Sequence, residues 1–217
     1  MTYTGKVSVG GPAQVRELPT LIVSKIAVGP YNNNCYLLRC RATGEQVLID
    51  AADDAPRLLE LIGPDGLMAV ITTHGHSDHW LALAAIVQAT GARTMAHSLD
   101  AIDIPVPTQT FLDHGQSVEI GDCALLVTHL VGHTAGSISL TYDDPSGHAH
   151  LFSGDCLFPG GIGRTQSLVD FTSLYEGVVG KLFDVLPDET WVYPGHGNDT
   201  TLGAERPQLG EWWERQW

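Results

Sequence analysis

Four side chains able to bind a metal fall within the stretch Thr73-His74-Gly75-His76-Ser77-Asp78-His79-Trp80: His74, His76, Asp78 and His79. Imidazoles and a carboxylate crowded into an apolar setting must be hydrogen-bonded, paired or metallated. The histidines of a His-x-His pair point the same way in extended chain, because alternate side chains share a side. Asp78 and His79 follow as the chain turns, and they can face a second point. One loop of this kind can hold two metal ions side by side. The alternative is a solvated histidine-rich loop or a purification tag. A tag is a histidine run at a terminus, whereas this segment is internal and flanked by core-like sequence.

The elements around the loop must position it. Leu67 to Thr72 is an apolar run of strand length, and Trp80 to Gln88 reads as a largely buried helix. The cluster then sits on a loop between strand and helix, where sites tend to be built. Upstream, strands are expected over Leu21–Val28, Cys35–Cys40 and Gln46–Ile49. Gly29 to Asn34 is a turn signal, and the last two strands form a hairpin about Thr43-Gly44-Glu45. A short helix with proline in its first turn covers Ala55–Ile62. Downstream, strands are expected at Arg93–Ala96, Ser117–Ile120, Ala124–His129, Ile138–Tyr142, His150–Phe152 and Thr190–Tyr193. A turn spans Asp143 to Gly147, a glycine-rich loop Phe158 to Arg164, and a helix Asp170 to Phe183. The order shows many strands, few helices and no regular strand-helix alternation. That favours two packed sheets with helices outside over a doubly wound parallel sheet. With no dividing linker, residues 1–217 are expected to form a single domain.

Composition sets outer bounds. The chain has 217 residues, 43% of them hydrophobic, and a formal net charge of -14. The acidic balance argues against nucleic acid and anionic membrane as partners. No apolar stretch is long enough to span a bilayer, and Met1 to Lys6 lacks the apolar core of a secretory signal. A cytoplasmic location is expected. Cys35, Cys40, Cys123 and Cys156 are scattered with no Cys-x-x-Cys, so free buried thiols are expected.

Three further residues extend the pattern. His133, Asp155 and His196 each follow an expected strand in a glycine-flanked turn. Small neighbours let backbone bring a ligand close to a metal. Neutral imidazole with carboxylate suits zinc, iron or manganese. Seven such ligands can fill two adjacent sites and leave room for a shared water.

This set resembles the metallo-β-lactamase superfamily, with its His-x-His-x-Asp-His followed by distant His, Asp and His. The resemblance runs from about Ile22 to Arg206 and includes Asp50, placed after a strand. It implies an α+β fold, an αββα four-layer sandwich with the metal site at one edge of the two sheets. It implies that His74, His76 and His133 hold a first metal, and that Asp78, His79 and His196 hold a second, with Asp155 bridging. Asp50 would orient a ligand histidine. Two divalent ions follow, zinc first, with iron or manganese as alternatives.

Within the superfamily the chain is most similar to short glyoxalase II-like (hydroxyacylglutathione hydrolase-like) hydrolases. The similarity lies in Gly132-His133-Thr134-Ala135-Gly136, Ser153 to Phe158, Gly161-Ile162-Gly163-Arg164, Pro194-Gly195-His196-Gly197 and Thr201 to Arg206. Two features depart from the pattern. Only a short tail follows His196, where full-length glyoxalase II carries a basic helical domain for glutathione. Ile162 stands where the family often has Cys. The resemblance implies thioester hydrolysis by a metal-bridging hydroxide, with Asp78 also orienting the nucleophile. Arg164 is the candidate contact for a substrate carboxylate or sulfur conjugate. The substrate would be a small-molecule thioester or other thiol conjugate, and the protein a monomer or homodimer.

The alternative is an iron-dependent persulfide dioxygenase on a similar scaffold, for which the resemblance implies His74, His133 and Asp155 at one iron. A β-lactamase is a third reading. His97, His114, His129, His148 and His150 match no motif and are taken as surface or structural. Trp212, Trp213 and Trp217 are expected to pack on the chain's own surface, or else at a dimer contact.

Overall fold

The computed structural model describes residues 2–145 and 147–216. The expected turn at Ser146 and the packing of Trp217 lie outside the described residues.

Two sheets carry the fold. The first has seven strands in sequence order: β1 (Gln14–Glu17), β2 (Leu21–Val28), β3 (Asn33–Cys40), β4 (Gln46–Ile49), β5 (Ala69–Ile71), β6 (Arg93–Ala96) and β7 (Thr110–Phe111). The second is built from β8 (Ser117–Ile120), β9 (Cys123–His129), β10 (Ile138–Asp143), β11 (Ala149–Gly154), β14 (Trp191–Pro194) and β15 (Thr200–Thr201). Its order is β15-β14-β11-β10-β9-β8. Among the described residues β12 (Leu157–Phe158) and β13 (Gly161–Ile162) pair only with each other, and their Leu157 and Ile162 pack into the core beside the second sheet.

Neighbouring residues on one strand enter different cores, because side chains alternate across a sheet. Leu38, Val47, Ile71, Phe152 and Tyr193 fill the space between the sheets. Leu37, Leu48 and Val70 face outward to α1 (Ala55–Ile62) and α2 (Leu83–Thr90), meeting Leu58, Ile62, Leu83 and Ile86. Leu151 and Val192 face α3 (Leu168–Val178) and α5 (Leu209–Arg215), meeting Phe171, Leu174 and Trp212. Between them α4 (Leu202–Glu205) forms a single turn. Three cores separate four layers, which is the expected αββα sandwich of the α+β class. Strands buried on both faces read as unbroken apolar runs, and that is why they stand out in the sequence.

Strand direction decides where the loops go. The expected lack of strand-helix alternation holds only in part. β4, β5 and β6 run parallel, linked through α1 and α2, so all three end at one edge. In the second sheet β9 and β11 are both antiparallel to β10, and β11 is parallel to β14. The C-terminal ends of β9, β11 and β14 therefore share one edge as well.

Several boundaries differ from the sequence reading. The loop does not enter a helix at Trp80: a 3-10 turn spans Ser77–His79, and α2 starts at Leu83. α2 buries only Leu83 and Ile86 fully, because its alanines face outward. Asn33 and Asn34 begin β3 rather than closing the turn. α3 starts at Leu168, where Ser167 accepts the Asp170 N–H, and Val179–Phe183 continue it as a π-type turn. All four cysteines are free and buried. His97 and His150 are buried too. Trp212 is a core residue, and the half-exposed Trp213 lies against Tyr175 at 5.1 Å between ring centres. Among the described residues no helix is long and apolar enough to cross a membrane.

A buried charged knot ties the start of the chain to the end of β14. Lys25 Nζ donates to Asp199 Oδ1 at 2.6 Å and to the carbonyls of Gly5 and Gly197 at 2.8 Å each. Tyr3 and the Trp191 indole donate to the other Asp199 oxygen. Both members of the pair are almost wholly buried. Asp199→Ala would strand the Lys25 charge and is expected to cost about 3–5 kcal/mol of stability. The paired change Lys25→Met with Asp199→Leu should recover most of it. Urea denaturation of the three proteins checks both outcomes, and a loss under about 1 kcal/mol for Asp199→Ala would contradict them.

Candidate metal centre

The expected ligands come from loops at the shared edge. His74 and His76 follow β5, Asp78 and His79 lie in the 3-10 turn, and His133 follows β9. Asp155 follows β11 and His196 follows β14. The fold brings all seven together. His74, His76 and His133 form one set of converging ligand atoms, Asp78, His79 and His196 another, and Asp155 shares a set with His74 and His79. Asp155 Oδ2 lies 3.3 Å from His196 Nε2, 3.6 Å from His133 Nε2 and 4.0 Å from His74 Nε2. His74 Nε2 is 3.1 Å from His76 Nδ1, and His79 Nε2 is 3.3 Å from His196 Nε2. Ligand atoms bonded to a tetrahedral zinc ion are roughly 3.3 Å apart, from bonds of about 2.0–2.1 Å.

The rings are aimed by their other nitrogen. His133 Nδ1 is 2.8 Å from the Arg164 carbonyl, and His196 Nδ1 is 2.9 Å from that of Tyr31. His79 Nδ1 is 2.8 Å from Asp50 Oδ2. These oxygens can only accept, so each Nδ1 carries a proton and, in the neutral ring, the lone pair sits on Nε2. His74 follows by exclusion. The Thr73 hydroxyl donates to Asp50 Oδ2 at 2.9 Å, so its oxygen takes the proton of His74 Nδ1, 3.0 Å away. Four Nε2 atoms thus turn inward. His133 Nε2 and Asp155 Oδ1 are buried and have no hydrogen-bond partner, although Asp155 Oδ1 is 3.5 Å from His79 Nε2. Such orphaned groups are rare in folded proteins and fit a missing ligand partner. Neutral imidazoles with carboxylates form a donor set for zinc, iron or manganese.

Electrostatics favour a cation here. Burial, with the His79 ring beside it, pushes His74 well below the usual imidazole range. Burial lowers His133 as well. At His79 burial opposes the charged ring, but Asp50 and Asp155 outweigh it and hold the group well above its usual value. Burial is also overcome at His196, chiefly by Asp155. For Asp155 burial favours the neutral acid, yet His79 and the facing imidazoles hold the carboxyl well below the usual range. A buried carboxylate ringed by lone pairs calls for positive charge.

Asp50 joins His79 to Thr73, with one carboxylate oxygen bonded to both side chains. It has a left-handed backbone with φ of 58°, which Asp tolerates better than most residues. The Thr73 N–H donates to its Oδ1 at 2.8 Å. Arg164 is exposed and edges a cavity of about 220 Å³ with Phe158, Pro159 and Ile162. The expected glycine-rich loop is here the β12–β13 hairpin. Sequence reading missed Asn33, whose amide donates to Asp78 Oδ2 at 2.9 Å, and Asn34, which donates to the carbonyls of Pro194 and Gly197. The run Asn32-Asn33-Asn34 was the available signal, and it also reads as a turn. Gly195 must be glycine, since a Cβ there would fall 2.1 Å from Asp155 Oδ1 and 2.9 Å from His79 Cε1.

The structure is a four-layer sandwich with a histidine-aspartate cluster, able to hold metal ions, at the strand ends. The family model for the metallo-β-lactamase superfamily matches residues 28–196, and the chain belongs to that superfamily. The hydroxyacylglutathione hydrolase of Polaromonas sp. is 35% identical over 185 residues, which is 81% of this chain and 66% of that protein. An uncharacterized protein of Mycobacterium leprae is 31% identical over 86% of this chain and 96% of its own length. Among solved structures, ETHE1 from Myxococcus xanthus is 29% identical with a TM-score of 0.76, covering 87% of this chain and 84% of its own. TTHA1623 in a di-iron-bound form is 32% identical with a TM-score of 0.69, over 84% of this chain and 96% of that one.

The geometry predicts two metal ions per chain after saturation with zinc, read by elemental analysis of the desalted protein. Gly195→Ala should lower that figure, because Asp155 and His79 must give way. One ion in the wild type, or two in Gly195→Ala, would contradict this reading of the site.

Proposed function

We propose that the protein is a dinuclear metal-dependent hydrolase of small-molecule thioesters, with His74, His76 and His133 as ligands of one ion and Asp78, His79 and His196 as ligands of the other. Asp155 lies between the two sets. The observation that carries the proposal is this convergence of seven ligands about one buried carboxylate. The likeness to a hydroxyacylglutathione hydrolase supports the thioester. Bound there, two divalent ions supply Lewis acidity and a water whose pKa falls from about 16 to about 7.

The chain's own residues do the positioning. Asp50 and Thr73 fix which nitrogen of His79 and His74 faces the centre, as partners behind metal ligands commonly do. Asn33 steadies Asp78 through one carboxylate oxygen, so that Asp78 can orient the nucleophile as well as bind a metal. The cavity beside Phe158 and Arg164 adjoins the cluster. Phe158 stands 6.3 Å from the His196 ring, and the Arg164 carbonyl holds His133. An acidic group on the thiol carrier would meet the Arg164 guanidinium there. A low-pKa thiolate leaves with little help from an acid. Zinc is the metal proposed first.

A second reading, an iron-dependent persulfide dioxygenase, draws support from His74, His133 and Asp155, a His-His-carboxylate set of the kind used by non-haem iron oxygenases. The two readings part over oxygen.

Asp78→Asn is nearly isosteric and should preserve the fold while lowering thioester hydrolysis roughly a hundredfold, at the upper end of effects seen around metal ligands. Wild-type turnover at full metal occupancy would remove Asp78 from the mechanism. Arg164→Ala should raise KM for an anionic thioester such as S-lactoylglutathione more than it lowers kcat. Wild-type hydrolysis should proceed unchanged under anaerobic conditions. Oxygen uptake with a thiol persulfide, and no cleavage of any thioester, would replace the first reading with the second.

A further inference from the structure

The segment after β6 reaches the same edge as the ligand loops, because β6 runs parallel to β5. It carries Asp100, a buried carboxylate that matches no motif. Asp100 Oδ2 accepts the Gly75 N–H at 2.8 Å and the Thr134 hydroxyl at 2.6 Å. Asp100 Oδ1 accepts the Gly136 N–H at 2.6 Å. Gly75 lies between His74 and His76, and Thr134 follows His133. One side chain therefore holds both loops that carry the first ligand set.

The approach is close by construction. A Cβ on Gly136 would fall 2.7 Å from both the backbone nitrogen and Oδ1 of Asp100. Ser137 Oγ braces the same loop, 2.5 Å from Thr134 Oγ1 and accepting the Thr134 N–H at 3.2 Å. Charge-assisted hydrogen bonds of this kind are about twice as strong as neutral ones. The second set is held by different groups. Asn33 bonds Asp78, Asp50 bonds His79, and the Tyr31 carbonyl meets His196.

We propose that Asp100 is a positioning residue for the first metal site, fixing His74 and His76 against His133 at the separation a metal requires. It touches neither substrate nor metal and acts through the two loops. The proposal rests on the dinuclear reading above.

The test is zinc affinity of the full chain, stripped of metal by a chelator and titrated in competition with a chromophoric chelator. Wild type should show two binding steps. Asp100→Asn replaces one accepting oxygen with a donor and should weaken one step roughly ten- to a hundredfold, leaving the other within about twofold. In a His76→Ala background, where the first site is already broken, the same change should leave the remaining zinc affinity within about twofold. Thr134→Val removes one of the three donors with little change of shape and serves if Asp100→Asn does not fold. It should weaken the same step several-fold. Two unchanged steps in the variant would overturn the role of Asp100. So would equal weakening of both steps with a lowered melting temperature of the metal-free protein, which marks a general structural role. A wild type that binds no zinc, manganese or iron would sink the dinuclear reading itself, a result distinct from either.

Discussion

The structure depends on a demand for positive charge around Asp155. This carboxylate is buried and faces the Nε2 atoms of four imidazoles, and its Oδ1 has no hydrogen-bond partner. Each of those rings has its Nδ1 occupied by an oxygen. Lone pairs pointed at one another and at a carboxylate repel unless a cation lies among them. Protons can serve in part, and the neighbouring carboxylates hold His79 and His196 above their usual range. Divalent ions serve better, since each can bond several donors at once.

The fold meets this demand through strand direction. Parallel β4, β5 and β6 end at the edge where β9, β11 and β14 also end. Six strand ends thus deliver Asp50, the His74–His79 loop, Asp100, His133, Asp155 and His196 to one place. Three apolar cores keep the sheets in register beneath the loops. The loops are bound across the gap between sheets as well. Ile138 donates to the Thr73 carbonyl at 2.9 Å, and Asn34 to that of Gly195 at 2.7 Å. The loops that carry the candidate ligands are thus braced by the strands and by one another, which supports precise geometry at the site.

How much of this the sequence discloses depends on distance along the chain. The ligand motif is legible because His74 to His79 are neighbours and because glycine flanks the distant ligands. The four layers are legible because doubly buried strands read as apolar runs and helices as periodic ones. What stays hidden is contact between distant segments. Asn33 lies 45 positions before Asp78, and Asp100 lies 36 before Gly136. Lys25 reads as an ordinary surface lysine until Asp199, 174 positions later, is brought to it. β7 and β13 span two residues each, too short for any periodic signal. The start of α3 was legible in principle, since Ser167 stands three residues before Asp170 as a capping pair. The helix boundary at Leu83 was not, because the apolar run begins at Trp80 and no side chain caps the helix start.

The geometry implies two ions, each at its own ligand set, with Asp155 between. Anomalous scattering at the zinc absorption edge from crystals of the zinc-loaded protein tests it most directly. Two peaks are predicted per chain, one within bonding distance of His74, His76 and His133 and the other of Asp78, His79 and His196, with Asp155 reaching both. A single peak, or peaks away from these residues, would contradict the account.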